Sequence, residues 1–224
     1  MKAKTTNVRL QHQKVKTAKG RDPKSTRWLQ RQLNDPYVEK AHKMGFRSRA
    51  AFKLLELNEK FNFLDKGKVV VDLGSAPGGW SQVASHIVMP HGKIVAIDIL
   101  PMDSLADVDF VQMDFTDNKA PEKLIEMLGG RKADVVLSDM AANTIGHKST
   151  DHLRIIAILE MAFDFAKQIL NEDGVFVAKV FQGGAESSLL NEIKQNFKSV
   201  KHSKPNASRK ESPETYIVAQ GFKK

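Results

Sequence analysis

Residues Val69 to Ser81, Val-Val-Val-Asp-Leu-Gly-Ser-Ala-Pro-Gly-Gly-Trp-Ser, constrain this chain more than any other stretch. The apolar run around Asp72 reads as a strand buried on both faces of a parallel sheet. A turn with Gly74, Gly78 and Gly79 follows, and the apolar spacing from Trp80 to Val88 predicts a helix. Strand, glycine turn and helix form the opening unit of a nucleotide-binding α/β fold. Ligands in such sheets lie beyond the carboxyl ends of the strands, and glycine lets them approach the backbone without meeting a Cβ.

The turn also narrows the ligand. It carries no G-x-x-x-x-G-K-[ST] phosphate cradle, and its G-x-x-x-G-G differs from the dinucleotide pattern G-x-G-x-x-G. A carboxylate at the strand end, Asp72, suits a cationic, hydroxyl-bearing ligand better than a pyrophosphate. S-adenosylmethionine fits, with its amino group, sulfonium and ribose and no phosphate. An ordinary strand-to-helix turn is the competing reading. The second predicted strand, Lys93 to Asp98, weighs against it because it too ends in an acid. Asp98 stands roughly 20 residues past the glycine turn, the offset at which a carboxylate reaches a ribose hydroxyl.

The later strands add polar residues to the same end of the sheet. Asp109 to Gln112 reads as a third strand, and Asp114 just beyond it is either an acceptor for an adenine amino group or a plain loop acid. Ala133 to Asp139 reads as the fourth. Its end adjoins the first strand at the switch point, which turns Asp139 toward both cofactor and substrate. A helix is expected from a cap at Asp151 to about Leu170, then a fifth strand over Val175 to Phe181. Lys179 interrupts that apolar strand. An unpaired buried lysine is costly, so Lys179 is paired, neutral or at the ligand-facing end, the competing reading being a lysine that snorkels at a sheet edge. A helix over Ala185 to Phe197, a strand over Val200 to Ser203 and a last strand from Glu214 to Gln220 complete the chain. If the last strand runs antiparallel, Glu214 starts beside Lys179 and Asp139.

The cations are harder to place. Lys53 lies on a helix whose Ala50, Leu54 and Leu57 face a core, and it is either a site residue or part of a solvated face. Arg47 and Arg49 are expected phosphate contacts. The loop Lys204 to Ser212, with Ser208, Arg209 and Lys210, is an RNA-contacting lip or a solvated loop. The net charge of +9 and pI of 9.6 favour a polyanionic partner, nucleic acid first. Residues 1–27 read as a flexible basic tail before one domain over residues 28–224. The absence of cysteine excludes disulfides and thiolate metal sites. The seven histidines are scattered, and no metal is expected. No apolar run approaches the roughly 18 residues of a membrane span. A cytoplasmic monomer is the expectation.

Taken together, the motifs resemble the RrmJ/FtsJ family of RNA ribose 2′-O-methyltransferases. Within it the resemblance is greatest to the bacterial branch that acts on a uridine of large-subunit rRNA. It rests on Arg47-Ser48-Arg49-Ala50 with Phe52-Lys53-Leu54, on Asp72 to Gln82, and on Asp98 with Leu100-Pro101-Met102-Asp103. It continues through Ser138-Asp139-Met140-Ala141, Ala178 to Gly183, and Ser208-Arg209 with Glu214 to Ala219. The resemblance implies a Rossmann-like class I methyltransferase: a mostly parallel seven-stranded sheet, an antiparallel last strand and helices on both faces. It implies S-adenosylmethionine held by Gly78, Trp80, Asp98, Asp114 and Asp139, and a catalytic tetrad of Lys53, Asp139, Lys179 and Glu214. The implied base is Lys179, with the other three setting its protonation and orientation. The implied partner is 23S rRNA within the large ribosomal subunit, modified in support of ribosome assembly. Ser75 stands where the family often has Ala, and Ala142 where it often has Pro; neither is a tetrad position. The same chemistry on tRNA or another RNA is the alternative. A non-catalytic RNA-binding assembly factor is the second alternative, and it would expect a broken tetrad.

Overall fold

The computed structural model describes residues 14–15, 20–141, 148–181 and 187–224. Five strands run parallel: β1 (Val69–Leu73), β2 (Lys93–Asp98), β3 (Asp109–Gln112), β4 (Ala133–Ser138) and β5 (Leu170–Phe181). Two more, β6 (Phe197–Ser203) and β7 (Glu214–Phe222), complete a seven-stranded sheet in the order β3-β2-β1-β4-β5-β7-β6. β7 runs antiparallel to both of its neighbours, as expected from the sequence.

Period-two alternation sends the strands' side chains to two cores. Val69, Val71 and Leu73 of β1 pack with α5 (Ala120–Leu128), α6 (Lys148–Ile169) and α7 (Ser187–Asn196). Val70 packs on the other face with α3 (Ala51–Phe61) and α4 (Gly79–Val88). Leu54 and Leu57 of α3 are fully buried there, each contributing about 1.5–3 kcal/mol of apolar burial. That burial fixes which way Lys53, just before Leu54, can point. Two further helices, α1 (Pro23–Leu33) and α2 (Pro36–Met44), precede α3. Asp35 caps α2 by accepting from the Tyr37 N–H at 3.0 Å.

Several boundaries differ from the sequence reading. α1 begins at Pro23, inside the stretch read as tail, with Ser25 N–H donating to Asp22 Oδ2 at 3.2 Å. Most of that tail lies outside the described residues, as do Gly183, at the end of the Ala178 motif, and the position Ala142. α6 begins at Lys148, so Asp151 lies within it and does not cap it. β5 begins at Leu170 because Leu170 pairs with Ala133 before an irregularity that absorbs Glu172-Asp173-Gly174. β6 begins at Phe197, which is buried, pairs with Phe222 and packs on its ring at 5.3 Å. Among the described residues no helix is long and apolar enough to cross a membrane.

Candidate active site

The carboxyl ends of β4 and β5, the start of β7 and the first turn of α3 meet at one point. Lys179 and Tyr216 lie opposite each other across β5 and β7, and Phe181 lies opposite Glu214. Glu214 and Tyr216 are two apart on one strand and share a face. Lys179 Nζ donates to the Asp139 carbonyl at 2.5 Å and to Asp139 Oδ1 at 3.1 Å. Lys53 Nζ pairs with Glu214 Oε1 at 2.7 Å and lies 3.8 Å from Asp139 Oδ2. The cluster thus balances two ammonium groups against two carboxylates. Their side chains are only 9–17% exposed, so the pairing is needed to offset desolvation.

The fold brings all four tetrad residues together. The sequence reading sets the start of the last strand beside Lys179 and Asp139, and Glu214 lies there; its ion-pair partner is Lys53, while Asp139 lies within reach of both lysines. Burial by itself would raise the Asp139 pKa. The charges of Lys179 and Lys53, with hydrogen bonds from Tyr216 and Lys179, override burial and hold it below the ordinary carboxylate value.

Tyr216 is the residue the sequence reading missed. Its hydroxyl donates to Asp139 Oδ1 at 2.7 Å, accepts from Lys53 Nζ at 3.1 Å and lies 3.3 Å from Glu214 Oε1. Burial, then the charges of Asp139 and Glu214, push its phenol well above the ordinary value, so it stays a neutral donor. Its signal in the sequence was available: a large aromatic two residues after Glu214, whose hydroxyl needs a partner when buried. Ser208, from the loop read as an RNA lip, is buried and donates to Glu214 Oε1 at 3.0 Å.

A cleft of about 510 Å³ opens beside this cluster, between the ends of β1, β2 and β3. Gly74, Asp98, Asp114 and Asp139 line it, with Ile99, Met113 and Met161 among its apolar walls. Asp98 accepts from Ala76 N–H and Leu100 N–H, each at 2.8 Å, and so fixes the rim while each oxygen keeps a lone pair. Asp114 Oδ1 is engaged by Thr116 N–H and Oγ1 at 2.9 and 2.8 Å. Gly74, at φ +78°, has no room for a side chain, since a Cβ would lie 2.7 Å from Met140 Cγ. Gly78 and Trp80 stand at the start of α4. Trp80 is buried in the core, and its indole N–H donates to the Ala50 carbonyl at 2.9 Å. Its remaining polar approach to a ligand is therefore the backbone amide, one of the first-turn N–H groups without a helical acceptor.

Asp72 lies beneath the glycine turn and is fully buried. Oδ2 accepts from Ser81 Oγ at 2.6 Å, and Oδ1 has no hydrogen-bond partner. Burial raises its pKa to about 7, with Asp139 and Asp98 adding to the rise and the Ser81 hydrogen bond opposing it. A raised carboxyl binds its proton more tightly folded than unfolded, so its contribution to stability falls as pH rises from about 4 to about 7. Asp72→Asn removes that slope. The stability of the variant relative to wild type rises across this window and is flat above it, by at most about 4 kcal/mol. Urea unfolding at stepped pH reads this directly, and a relative stability that falls with pH contradicts it.

Arg47 and Arg49 are not arranged as free phosphate contacts. Arg49 Nε pairs with Asp35 Oδ2 at 2.8 Å, and its Nη2 donates to the Ala207 carbonyl at 2.6 Å. Arg47 donates to the carbonyls of Asp103 and Ser104, both at 2.6 Å. Both guanidinium groups hold the protein together. Among the described residues no group of three His, Asp or Glu side chains could hold a metal.

The donor set fits a cationic nucleoside: carboxylates on a cleft with apolar walls, and a buried unpartnered carboxyl oxygen beneath the glycine turn. Such a cleft, reaching the β1/β4 point where strand order reverses, defines the class as Rossmann-like nucleotide-binding proteins. The FtsJ-like methyltransferase family matches residues 46–222, and the chain belongs to that family. It is 58% identical over 213 residues to ribosomal RNA large subunit methyltransferase E of Azorhizobium caulinodans, covering 94% of this chain and 88% of that protein. The protein of the same name from Sphingopyxis alaskensis is also 58% identical, over 95% of this chain and 91% of its own length. A solved Plasmodium falciparum structure, provisionally described as a ribosomal RNA methyltransferase, superposes with a TM-score of 0.68 at 34% identity. The match covers 79% of this chain and 98% of that one.

Proposed function

We propose that the protein transfers a methyl group from S-adenosylmethionine to the ribose 2′-hydroxyl of a uridine in 23S rRNA, in the large ribosomal subunit, in support of ribosome assembly. The observation that carries this reading is the closed Lys53–Glu214 and Lys179–Asp139 cluster beside an acid-lined cleft. The names of the relatives support the RNA class. A non-catalytic assembly factor would expect a broken tetrad, and all four positions are intact.

When bound, S-adenosylmethionine supplies an electrophilic methyl group on a sulfonium. Asp98 and Asp114 provide acceptors for ribose and adenine groups, Gly78 and Trp80 provide backbone at the turn, and Asp139 provides negative charge at the inner end. Lys179 takes the proton of the 2′-hydroxyl as that oxygen attacks, the ammonium of the resting cluster having first released one proton to water. Asp139 holds Lys179 at two points, which fixes the direction of its lone pair. Lys53, held by Glu214 and Tyr216, sets a positive charge where negative charge gathers on the attacking oxygen. Fixing the reactants in line is worth on the order of 7–11 kcal/mol. The protein acts as a cytoplasmic monomer in this reading.

Transfer of label from S-adenosylmethionine to large-subunit particles, naked rRNA and tRNA tests the proposal. Label in large-subunit rRNA is expected. Label in tRNA alone overturns the target and keeps the chemistry; no label on any RNA, with cofactor bound, overturns the enzyme reading. The tail has its own test. Residues 1–19 hold six Lys or Arg and no acid. Deleting them lowers RNA affinity and flattens its salt dependence, with cofactor affinity unchanged. The log–log slope falls by roughly 0.7–0.9 for each phosphate that the tail neutralises in the undeleted protein. An unchanged slope removes the tail from RNA binding.

A further inference from the structure

Arg47 sits where three backbone segments converge. Its guanidinium forks onto the carbonyls of Asp103 and Ser104 at 2.6 Å each, and Nη1 reaches the Pro77 carbonyl at 3.4 Å. Asp103 and Ser104 belong to the loop after β2, whose Ile99 and Leu100 line the cleft with Asp98. Pro77 belongs to the glycine turn after β1, whose Gly74 and Ala76 line the same cleft. One side chain therefore ties together the two segments that wall it.

The rest of the 45–50 turn is strapped to the same place. Arg47 N–H donates to Gln82 Oε1 at 2.9 Å, and Gln82 Nε2 donates to the Gly45 carbonyl at 2.9 Å. Gly78 and Gly79 make this approach feasible. A Cβ on Gly78 would lie 3.1 Å from Arg47 Nη1 and 3.0 Å from both Met102 Sδ and Leu105 Cδ1; on Gly79 it would overlap Ser48 Oγ. The turn runs directly into α3, which carries Lys53. The guanidinium is thus placed to set the width of the cleft and its registration with the catalytic lysine.

We infer that Arg47 is a positioning residue for the methyl donor: its planar fork on the Asp103 and Ser104 carbonyls latches the loop after β2 to the glycine turn. This rests on the reading of the cleft as the S-adenosylmethionine site. The role needs the fork and not only the charge, because a lysine ammonium is a point donor and cannot span two carbonyls in fixed geometry. Arg47→Ala removes two hydrogen bonds from a charged group, and part of that change is read as weaker cofactor binding.

The test is calorimetric titration with S-adenosylhomocysteine, without RNA, of wild type, Arg47→Ala and Arg47→Lys. RNA affinity across a salt series and thermal unfolding are measured beside it. Wild type binds, and Arg47→Ala binds about tenfold more weakly. Arg47→Lys recovers less than half of that difference on a logarithmic scale, although its charge is intact. RNA affinity and its salt slope stay at wild-type values in both, and kcat at saturating cofactor changes less than KM for the cofactor. Wild-type cofactor affinity in Arg47→Lys overturns the latch. So does unchanged cofactor affinity in Arg47→Ala with a salt slope reduced by about one, the mark of a phosphate contact. If Arg47→Ala unfolds, Arg47→Lys alone decides. A wild-type protein that binds no S-adenosylhomocysteine overturns the cofactor reading itself, before any variant is compared.

Discussion

Lys179→Ala lowers the rate of methyl transfer at saturating substrates by about 10²–10⁴-fold, the contribution of one positioned proton acceptor. Affinity for S-adenosylhomocysteine stays near wild type. Lys179 makes its hydrogen bonds with Asp139 and does not line the cleft. In its absence Asp139 still has Lys53 at 3.8 Å and the Tyr216 hydroxyl at 2.7 Å, so no carboxylate is left buried alone. The fold survives and the chemistry does not. Single-turnover transfer with bound cofactor separates the two effects, and equal loss of binding and turnover would make Lys179 a structural residue.

Asp139→Ala acts on both levels. It leaves Lys53 and Lys179 facing each other without the carboxylate they share, and it removes the nearer of the two acceptors of the Tyr216 hydroxyl. Breaking a buried ion pair by removing one partner costs about 3–5 kcal/mol. For a domain of this size that is a fall in Tm on the order of 10 °C. Activity is lost as well. The pH dependence follows from the depressed pKa of Asp139. Such a group stabilises the fold above its unfolded pKa, near ~3.9, and loses its contribution as pH falls through the lower folded value. The stability difference between wild type and Asp139→Ala is therefore full at neutral pH and shrinks in acid. A difference that grows on acidification, or a Tm unchanged at pH 7, contradicts the account of the cluster.

The sheet was legible because its signals are local. Val69 to Leu73 and Ala133 to Ser138 are apolar runs buried on both faces, and each carries or leads into an acid near the ligand end. Lys179 stood out because a cation inside an apolar strand demands a reason, and Glu214 because one reversed strand puts its start beside the other strands' ends. The partners of these groups were not legible. Glu214 takes Lys53 as its ion-pair partner because α3 buries Leu54 and Leu57 in the core on the sheet face that carries Tyr216 and Val218. That packing is a tertiary fact with no counterpart in residue spacing. The partners of Arg47 and Arg49 were not legible for the same reason: the carbonyls of Asp103, Ser104 and Ala207 that face them are distant in sequence. Tyr216 and Ser208 lay inside recognised motifs, yet their roles depend on the closed cluster around Glu214.

The most direct test of the central claim is nucleoside mass spectrometry of large-subunit rRNA. Particles from cells lacking this protein are analysed before and after incubation with the purified protein and S-adenosylmethionine. The account predicts that one uridine becomes 2′-O-methyluridine, and that Lys179→Ala protein does not produce it. A methyl group found on a base, on a ribose other than a uridine's, or nowhere in the large-subunit rRNA would contradict it.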